Sequence, residues 1–84
     1  EGNRVRSALG RCLDVTAGNA GNGARVQTYD CNGTPAQSWT FLPNGALRNG
    51  LGTCLDVSSA NAGNGAAIQG YQCNGTPAQQ WSAR

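Results

Sequence analysis

The sequence contains no histidine, lysine or methionine among its 84 residues. Without histidine it has no Ser-His-Asp or Cys-His catalytic group and no histidine metal ligand. Without lysine it has no amine for a Schiff base and no phosphate-loop lysine. The acidic residues are only Glu1, Asp14, Asp30 and Asp56. These absences exclude most catalytic chemistry, and we expect no enzyme activity, no cofactor and no bound metal.

Charge is also scarce, since charged residues make up only 12% of the chain. The net charge of +2 comes from six arginines scattered along the sequence. Nucleic-acid binding requires a basic face with interleaved aromatic residues, so we interpret these arginines as solvated and expect no nucleic-acid partner. No apolar run approaches the length of a membrane span, and no charged-then-apolar leader is present. An exported form is therefore expected to have lost its signal or to carry it elsewhere.

Glycine is abundant, with 13 residues, and six Asn-Gly dipeptides punctuate the chain. Both residues tolerate positive φ and therefore favour tight turns between strands. No apolar stripe recurs with the 3.6-residue period of a helix. The composition predicts an all-β protein whose core is marginal at this size without crosslinks.

The chain is a tandem duplication with a period of 42 residues. Pairing residues 1–42 with residues 43–84 aligns 23 identical residues without a gap. The sequence therefore predicts two copies of one structural unit, 1–42 and 43–84, that together form a single domain. The most diagnostic pairs are Cys12 and Cys54, Cys31 and Cys73, and Trp39 and Trp81.

Each unit is predicted to contain four short strands separated by Gly/Asn turns. The predicted strands of the first copy are 3–8, 11–16, 24–31 and 38–42. Those of the second copy are 46–49, 53–58, 67–73 and 80–83.

The four cysteines allow three disulfide pairings. The repeat favours Cys12 with Cys31 and Cys54 with Cys73, which links the second and third strands within each copy. Closing a loop of about 20 residues in this way contributes about 3 kcal/mol. The alternative, a four-cysteine zinc site, usually has closely spaced cysteine pairs, whereas here no two cysteines are closer than 19 residues. Disulfides imply an oxidising compartment, so the protein is predicted to be secreted and extracellular.

Three segments in each copy resemble the Q-x-W repeat of the ricin B-chain-like lectins. Family 13 carbohydrate-binding modules belong to the same group, and the resemblance covers the whole chain. The segments are Gly-x-Cys-Leu-Asp-Val at 10–15 and 52–57, Val/Ile-Gln-x-Tyr-x-Cys at 26–31 and 68–73, and Gln-x-Trp at 37–39 and 79–81.

The resemblance implies a β-trefoil, a six-stranded barrel capped by three hairpins and built from three units of about 40 residues. This sequence has two units, which would leave open strand edges. There are three alternatives for the two-unit sequence. A third unit comes from another chain, the sequence is an excised fragment, or the fold closes differently. If chains pool their units, three chains supply six units for two trefoils, so a homo-oligomer, such as a trimer, is expected.

The resemblance also implies one shallow sugar site in each copy. Asp14 and Asp56 stand where the family's carboxylate accepts hydrogen bonds from two neighbouring hydroxyls. Tyr29 and Tyr71 stand where the family stacks an aromatic ring on the sugar. The alternatives are a turn-capping role for the aspartate and a half-buried strand position for the tyrosines.

Glutamine and asparagine side chains complete each predicted site. In the family, the glutamine of Q-x-W orients the aspartate, and the tryptophan is buried. The family commonly has asparagine just before that glutamine, where this chain has Ala36 and Ala78. We expect an asparagine after the second cysteine of each pair to replace the lost donor. The additional candidates are Gln27, Asn32 and Gln37 in the first copy and Gln69, Asn74 and Gln79 in the second.

The sequence therefore predicts non-catalytic binding of carbohydrate, of galactose or xylose type, with two sites that gain by avidity on a polymer. A structural or protein-binding trefoil is the main alternative. A glycoside hydrolase is a further one, but hydrolysis needs two carboxylates about 5–10 Å apart. Asp14 and Asp56 occupy equivalent positions in separate units, so any hydrolase activity is expected to belong to another domain of the parent polypeptide.

Overall fold

The computed structural model describes residues 4–82, which form six strands and four single-turn 3₁₀ segments. Within these residues there is no α-helix, and no helix is long and apolar enough to cross a membrane. The strands are β1 (Arg11–Val15), β2 (Ala24–Asp30), β3 (Trp39–Phe41), β4 (Leu47–Asn49), β5 (Cys54–Val57) and β6 (Ile68–Tyr71). The 3₁₀ segments are Thr16–Gly18, Pro35–Gln37, Ser58–Ala60 and Pro77–Gln79.

All six strands belong to one strongly curled antiparallel sheet in the order β1-β2-β6-β5-β4-β3. Each repeat contributes one hairpin, β1 with β2 and β5 with β6. The repeats are joined where β2 pairs with β6, with Ala24 opposite Gly70, and where the β3–β4 hairpin crosses the repeat boundary. The prediction of an all-β fold with trefoil units is confirmed.

The predicted outer strands are largely wrong. Segment 3–8 is reduced to a single bridge between Arg6 and Cys12, and Asn3 lies outside the described residues. Residues 80–82 form no strand, and Ala83 lies outside the described residues. The equivalent strand in the first repeat, β3, exists because it pairs with β4 of the following repeat. Residues 80–82 have no such partner in the described part of the chain, so an extended segment alone does not become a strand.

The core lies inside the curled sheet and draws on both repeats. Its buried members are Val15, Ala24, Ala36, Trp39 and Leu55. The two indoles share one arrangement, since Nε1 of Trp39 donates to the carbonyl of Leu13 at 3.0 Å and Nε1 of Trp81 donates to that of Leu55 at 2.9 Å. These bonds satisfy the polar atom of an otherwise apolar ring. Trp39 is buried in the core as predicted, and Trp81 is partly buried and packs against it.

Both predicted disulfides are present, Cys12 with Cys31 and Cys54 with Cys73. Their Cα atoms are 5.1 Å apart in each pair, and the described residues contain no free cysteine. Each bond ties β1 or β5 to the segment that follows the next strand. The crosslinks therefore hold the two strands of each repeat's hairpin in the same way, and they are consistent with an extracellular protein.

A left-handed turn follows the first strand of each hairpin. The first repeat places Ala17 and Gly18 there, with φ of 57° and 62°, and the second repeat places Ser59 and Ala60 there, with φ of 57° and 53°. In this region a Cβ crowds the backbone, whereas glycine has no such penalty. Ala60 therefore bears a strain that its counterpart Gly18 avoids.

We expect Ala60→Gly to stabilise the protein by about 0.5–1 kcal/mol, because relief of the left-handed strain exceeds the added chain entropy of glycine. Urea unfolding at equilibrium measures the change. The matched control is Ala20→Gly, because Ala20 is exposed outside the left-handed region and should lose stability. If Ala60→Gly lowers the stability as much as the control does, Ala60 bears no backbone strain and the prediction is wrong.

Candidate functional site

Two clefts with equivalent linings lie on the surface, one in each repeat. The second, of about 390 Å³, has nine lining residues, and each has its counterpart 42 positions earlier in the lining of the first. The first is larger, about 530 Å³, and is lined additionally by Pro35 and Leu51. The shared lining is Asp14, Thr16, Ala17, Gly18, Gln27, Tyr29, Asn32, Thr34 and Ala36, and in the second repeat Asp56, Ser58, Ser59, Ala60, Gln69, Tyr71, Asn74, Thr76 and Ala78.

One carboxylate lies in each cleft, near the end of the first strand of the hairpin. Asp14 in β1 and Asp56 in β5 are both only 6% exposed. A buried carboxylate requires hydrogen-bond donors. Nε2 of Gln27 donates to Oδ2 of Asp14 at 3.0 Å, and Nε2 of Gln79 donates to Oδ2 of Asp56 at 2.7 Å. Each carboxylate is thus held by one amide while it lines an open cleft.

The glutamine of the Q-x-W segment differs between the repeats. Gln79 bonds Asp56, as predicted. In the first repeat Nε2 of Gln37 donates to the carbonyl of Asp30 at 2.8 Å, and Gln27 takes over the bond to Asp14. The prediction that Gln37 orients Asp14 is therefore not met in this structure. Both Q-x-W glutamines are fully buried and line neither cleft, so they support the site from behind.

Tyr29 and Tyr71 present exposed rings at the cleft walls, with 51% and 37% of their surface accessible. Tyr29 lies two residues after Gln27 in β2, so both side chains leave the same face of the strand. Asp14 is the cross-strand partner of Gln27, and Asp56 is the partner of Gln69. The sheet register therefore brings the predicted carboxylate, amide and ring together in each repeat.

An asparagine loop forms the opposite wall of each cleft. Oδ1 of Asn32 accepts hydrogen bonds from the backbone N–H of Thr34 at 3.1 Å and from its hydroxyl at 2.8 Å. Asn74 and Thr76 repeat both bonds at the same distances. Because the carbonyl oxygen is occupied, the NH₂ group of each asparagine is left to donate. Ala36 and Ala78 also line the clefts.

Sequence reasoning missed three parts of the lining, of which one is the loop that contributes Thr34 and Pro35 to the first cleft and Thr76 to the second. The left-handed turns that follow β1 and β5 contribute backbone and small side chains to each cleft. Their αL conformation has no sequence signal at Ser59 and Ala60, and Gly18 is the one residue of these turns whose type favours a positive φ. Leu51 was also missed, because it belongs to the second repeat and reaches the first cleft only through the fold.

The clefts contain no arrangement typical of a hydrolase or a metal centre. Asp14 and Asp56 line different clefts, and the two linings share no residue. Among residues 4–82 no group of three acidic or cysteine side chains could hold a metal ion. What each cleft offers instead is a carboxylate acceptor, amide donors and an exposed aromatic ring.

Comparison with solved structures gives the same architecture. A designed threefold-symmetric protein, ThreeFoil, superposes with a TM-score of 0.82 at 28% identity, covering 93% of this chain and 60% of its own. The β-trefoil lectin of the Vibrio vulnificus hemolysin/cytolysin, with N-acetyl-D-lactosamine bound, gives 0.81 at 24% identity, covering 96% and 61%. A non-toxic homologue of type II ribosome-inactivating proteins (RIPs) from Momordica charantia, in complex with α-methyl-D-galactoside, gives 0.74 at 32% identity, covering 84% and 26%.

This chain thus spans about three fifths of the first two proteins and about a quarter of the third. A family model described as the ricin-type beta-trefoil lectin domain matches residues 2–84, which is nearly the whole sequence. The chain therefore belongs to the ricin-type β-trefoil lectin domain family.

Proposed function

We propose that the protein binds carbohydrate without catalysis, through one shallow site per repeat. The observation that carries this proposal is the duplicated cleft, in which nine equivalent positions bring a buried carboxylate beside an exposed tyrosine. Membership in a lectin family supports carbohydrate as the ligand class. The separation of the two carboxylates into different clefts supports binding rather than hydrolysis.

The chemistry of each cleft matches that of a sugar ring. A carboxylate accepts two hydrogen bonds from vicinal hydroxyls, and these charge-assisted bonds are stronger than neutral ones. An exposed tyrosine ring can pack on a face of C–H groups, so that the ligand contributes apolar contact as well as hydrogen bonds. The NH₂ groups of Asn32 and Asn74 supply the donor that Ala36 and Ala78 cannot. In this proposal Asp14, Tyr29 and Asn32 contact the first sugar, and Asp56, Tyr71 and Asn74 contact the second.

A galactose-type sugar is the preferred ligand in this proposal, and a xylose-type sugar is the second. Galactose carries vicinal hydroxyls beside a continuous C–H face. A carboxylate on one strand can bind the hydroxyls while an aromatic ring on the adjacent strand packs on the C–H face. The Vibrio vulnificus and Momordica charantia proteins hold N-acetyl-D-lactosamine and α-methyl-D-galactoside, respectively. Two sites on one chain favour a polymeric or surface-bound glycan, because the second contact forms at high effective concentration.

The proposal includes the setting of the domain. The two disulfides suit a secreted protein. In this proposal the domain acts outside the cell, a third trefoil unit comes from another chain in a homo-oligomer such as a trimer, and any hydrolase activity belongs to another domain of the parent polypeptide. A trefoil that only supports structure is the alternative, and the alanines at 36 and 78 are the observation that favours it.

We expect Asp14→Asn to weaken binding in the first cleft and Asp56→Asn to weaken it in the second, each by about 10- to 100-fold through loss of charge-assisted bonds. The double variant should show this loss at both sites. Isothermal titration with lactose, galactose and xylose measures each site. Retention on galactan and xylan columns measures avidity.

The matched control is Asp30→Asn, the same chemical change outside both clefts. The carboxylate of Asp30 is exposed and makes only a surface ion pair with Arg11 at 3.4 Å. The Asp30→Asn protein should bind sugar as the wild type does. Unchanged binding by the folded double variant would refute the assigned sites, and no retention of the wild type on any glycan would favour the structural alternative.

Ala78→Asn is expected to strengthen the second site by about 2- to 10-fold, because it restores a donor at the cleft floor. Ala78 is partly exposed, so a larger side chain fits without repacking the core. Titration in the Asp14→Asn background isolates this site. Ala78→Leu adds a side chain with the same branching but without a donor and should give no gain, and an equal gain from leucine would show that hydrogen bonding is not the cause.

A further inference from the structure

One side of the first cleft is apolar. Pro35 and Ala36 line it from the 3₁₀ segment of the first repeat, and Leu51 lines it from a turn of the second repeat. None of the three side chains can donate or accept a hydrogen bond. We call these three residues the apolar corner. The cleft therefore has a part that cannot serve the hydroxyl groups of a sugar.

A buried asparagine holds Leu51 against the first repeat. Asn49 is only 2% exposed, and its Nδ2 donates to the carbonyl of Ala36 at 2.9 Å while its Oδ1 accepts the N–H of Leu51 at 2.9 Å. The backbones approach so closely here that a Cβ at position 50 would lie 2.8 Å from the carbonyl oxygen of Pro35. The apolar corner is therefore built by the fold itself, so a ligand does not have to order it on binding.

The remaining walls of the two clefts differ in the same direction. On the left-handed turn, Ala17 of the first cleft corresponds to Ser59 of the second, which adds a hydroxyl. The amide of Gln27 is occupied by its bond to Asp14, whereas that of Gln69 makes no hydrogen bond within residues 4–82. The first cleft thus offers a ligand fewer free polar groups than the second.

The chemistry of the apolar corner decides which sugar substituent suits it. A hydroxyl placed there would lose its hydrogen bonds to water without finding a partner, which costs free energy. A methyl group placed there would leave water at a gain and pack on Leu51 and Pro35. The corner therefore favours a substituent that ends in a methyl group over one that ends in a hydroxyl.

We infer that the first cleft selects a sugar that carries a methyl group beside the hydroxyls bound by Asp14, and that Leu51 determines this specificity. The methyl group can belong to an acetamido substituent or can replace a hydroxymethyl group, as in a 6-deoxy sugar. The inference rests on the proposed function, because it concerns the ligand of the same cleft.

Isothermal titration of the Asp56→Asn protein tests the preference, because its second cleft is weakened. The sugars are galactose, N-acetylgalactosamine and 6-deoxygalactose, which share the ring and differ in one substituent. We expect at least one methyl-bearing sugar to bind the first cleft about three- to fivefold more tightly than galactose, as burial of one methyl group predicts. A gain for N-acetylgalactosamine alone identifies the acetamido group as the source, and a gain for 6-deoxygalactose alone identifies the 6-deoxy position.

Substitution of Leu51 tests the residue assigned to this preference. Leu51→Ala should bring the ratio of affinities close to one, whereas Leu51→Met, which keeps an apolar side chain of similar volume, should retain it. The ratio is the quantity to compare, because a general loosening of the cleft weakens all three sugars together. The matched control is the same ratio at the second cleft, measured in the Asp14→Asn protein. Leu51 lines only the first of the two clefts, so Leu51→Ala should leave the ratio at the second unchanged.

Nuclear Overhauser effects detect the contact directly. In the Asp56→Asn protein with labelled leucine methyl groups, the methyl protons of the preferred sugar should show cross-peaks to the δ-methyl protons of Leu51. The other five leucines serve as internal controls. This measurement keeps Leu51 in place, so it decides the contact even where Leu51→Ala does not fold.

The inference is overturned if galactose binds the first cleft as tightly as both methyl-bearing sugars do. It is also overturned if Leu51→Ala leaves the ratio at the first cleft unchanged or changes it equally at both clefts, or if the cross-peaks go to a different leucine. In each of these cases sugar still binds and the proposed function stands. If none of the three sugars binds to either cleft of the wild type, the proposed function itself fails.

Discussion

A buried glutamine amide in each repeat is the interaction on which the clefts depend. Gln37 and Gln79 are fully buried, and a buried amide must find partners for both its ends. Oε1 of each accepts the N–H of Asn32 or Asn74 at 2.9 Å, and Nε2 donates to the backbone carbonyl of the residue before the second cysteine, Asp30 or Gln72. The disulfide at Cys31 or Cys73 holds the residue directly before each asparagine. The asparagine wall of each cleft is therefore held by covalent and hydrogen-bonded restraints at once.

The two repeats use this amide differently, and the difference follows from their surroundings. Gln79 reaches both the backbone and Asp56, so one amide supports the loop and the carboxylate together. In the first repeat the carboxylate is held by Gln27 from the cleft face, leaving Gln37 to the loop alone. The hydrogen-bond partner of Asp14, Gln27, lines the first cleft beside it. The partner of Asp56, Gln79, is buried behind the second cleft and does not line it. The two clefts therefore have equivalent linings, but a different glutamine donates to the carboxylate in each.

Much of the fold and site could be predicted from the sequence, because duplication and cysteine spacing carry long-range information. The 42-residue offset indicated which cysteines pair, and the predicted strand 24–31 contains Gln27 and Tyr29 two residues apart, which places both side chains on one face. What could not be predicted depends on contacts made after folding. Residues 80–82 have strand composition but no strand to pair with in the described part of the chain, and Leu51 reaches the first cleft only because its turn packs on the other repeat. A repeat indicates equivalence of residues, not equivalence of neighbours.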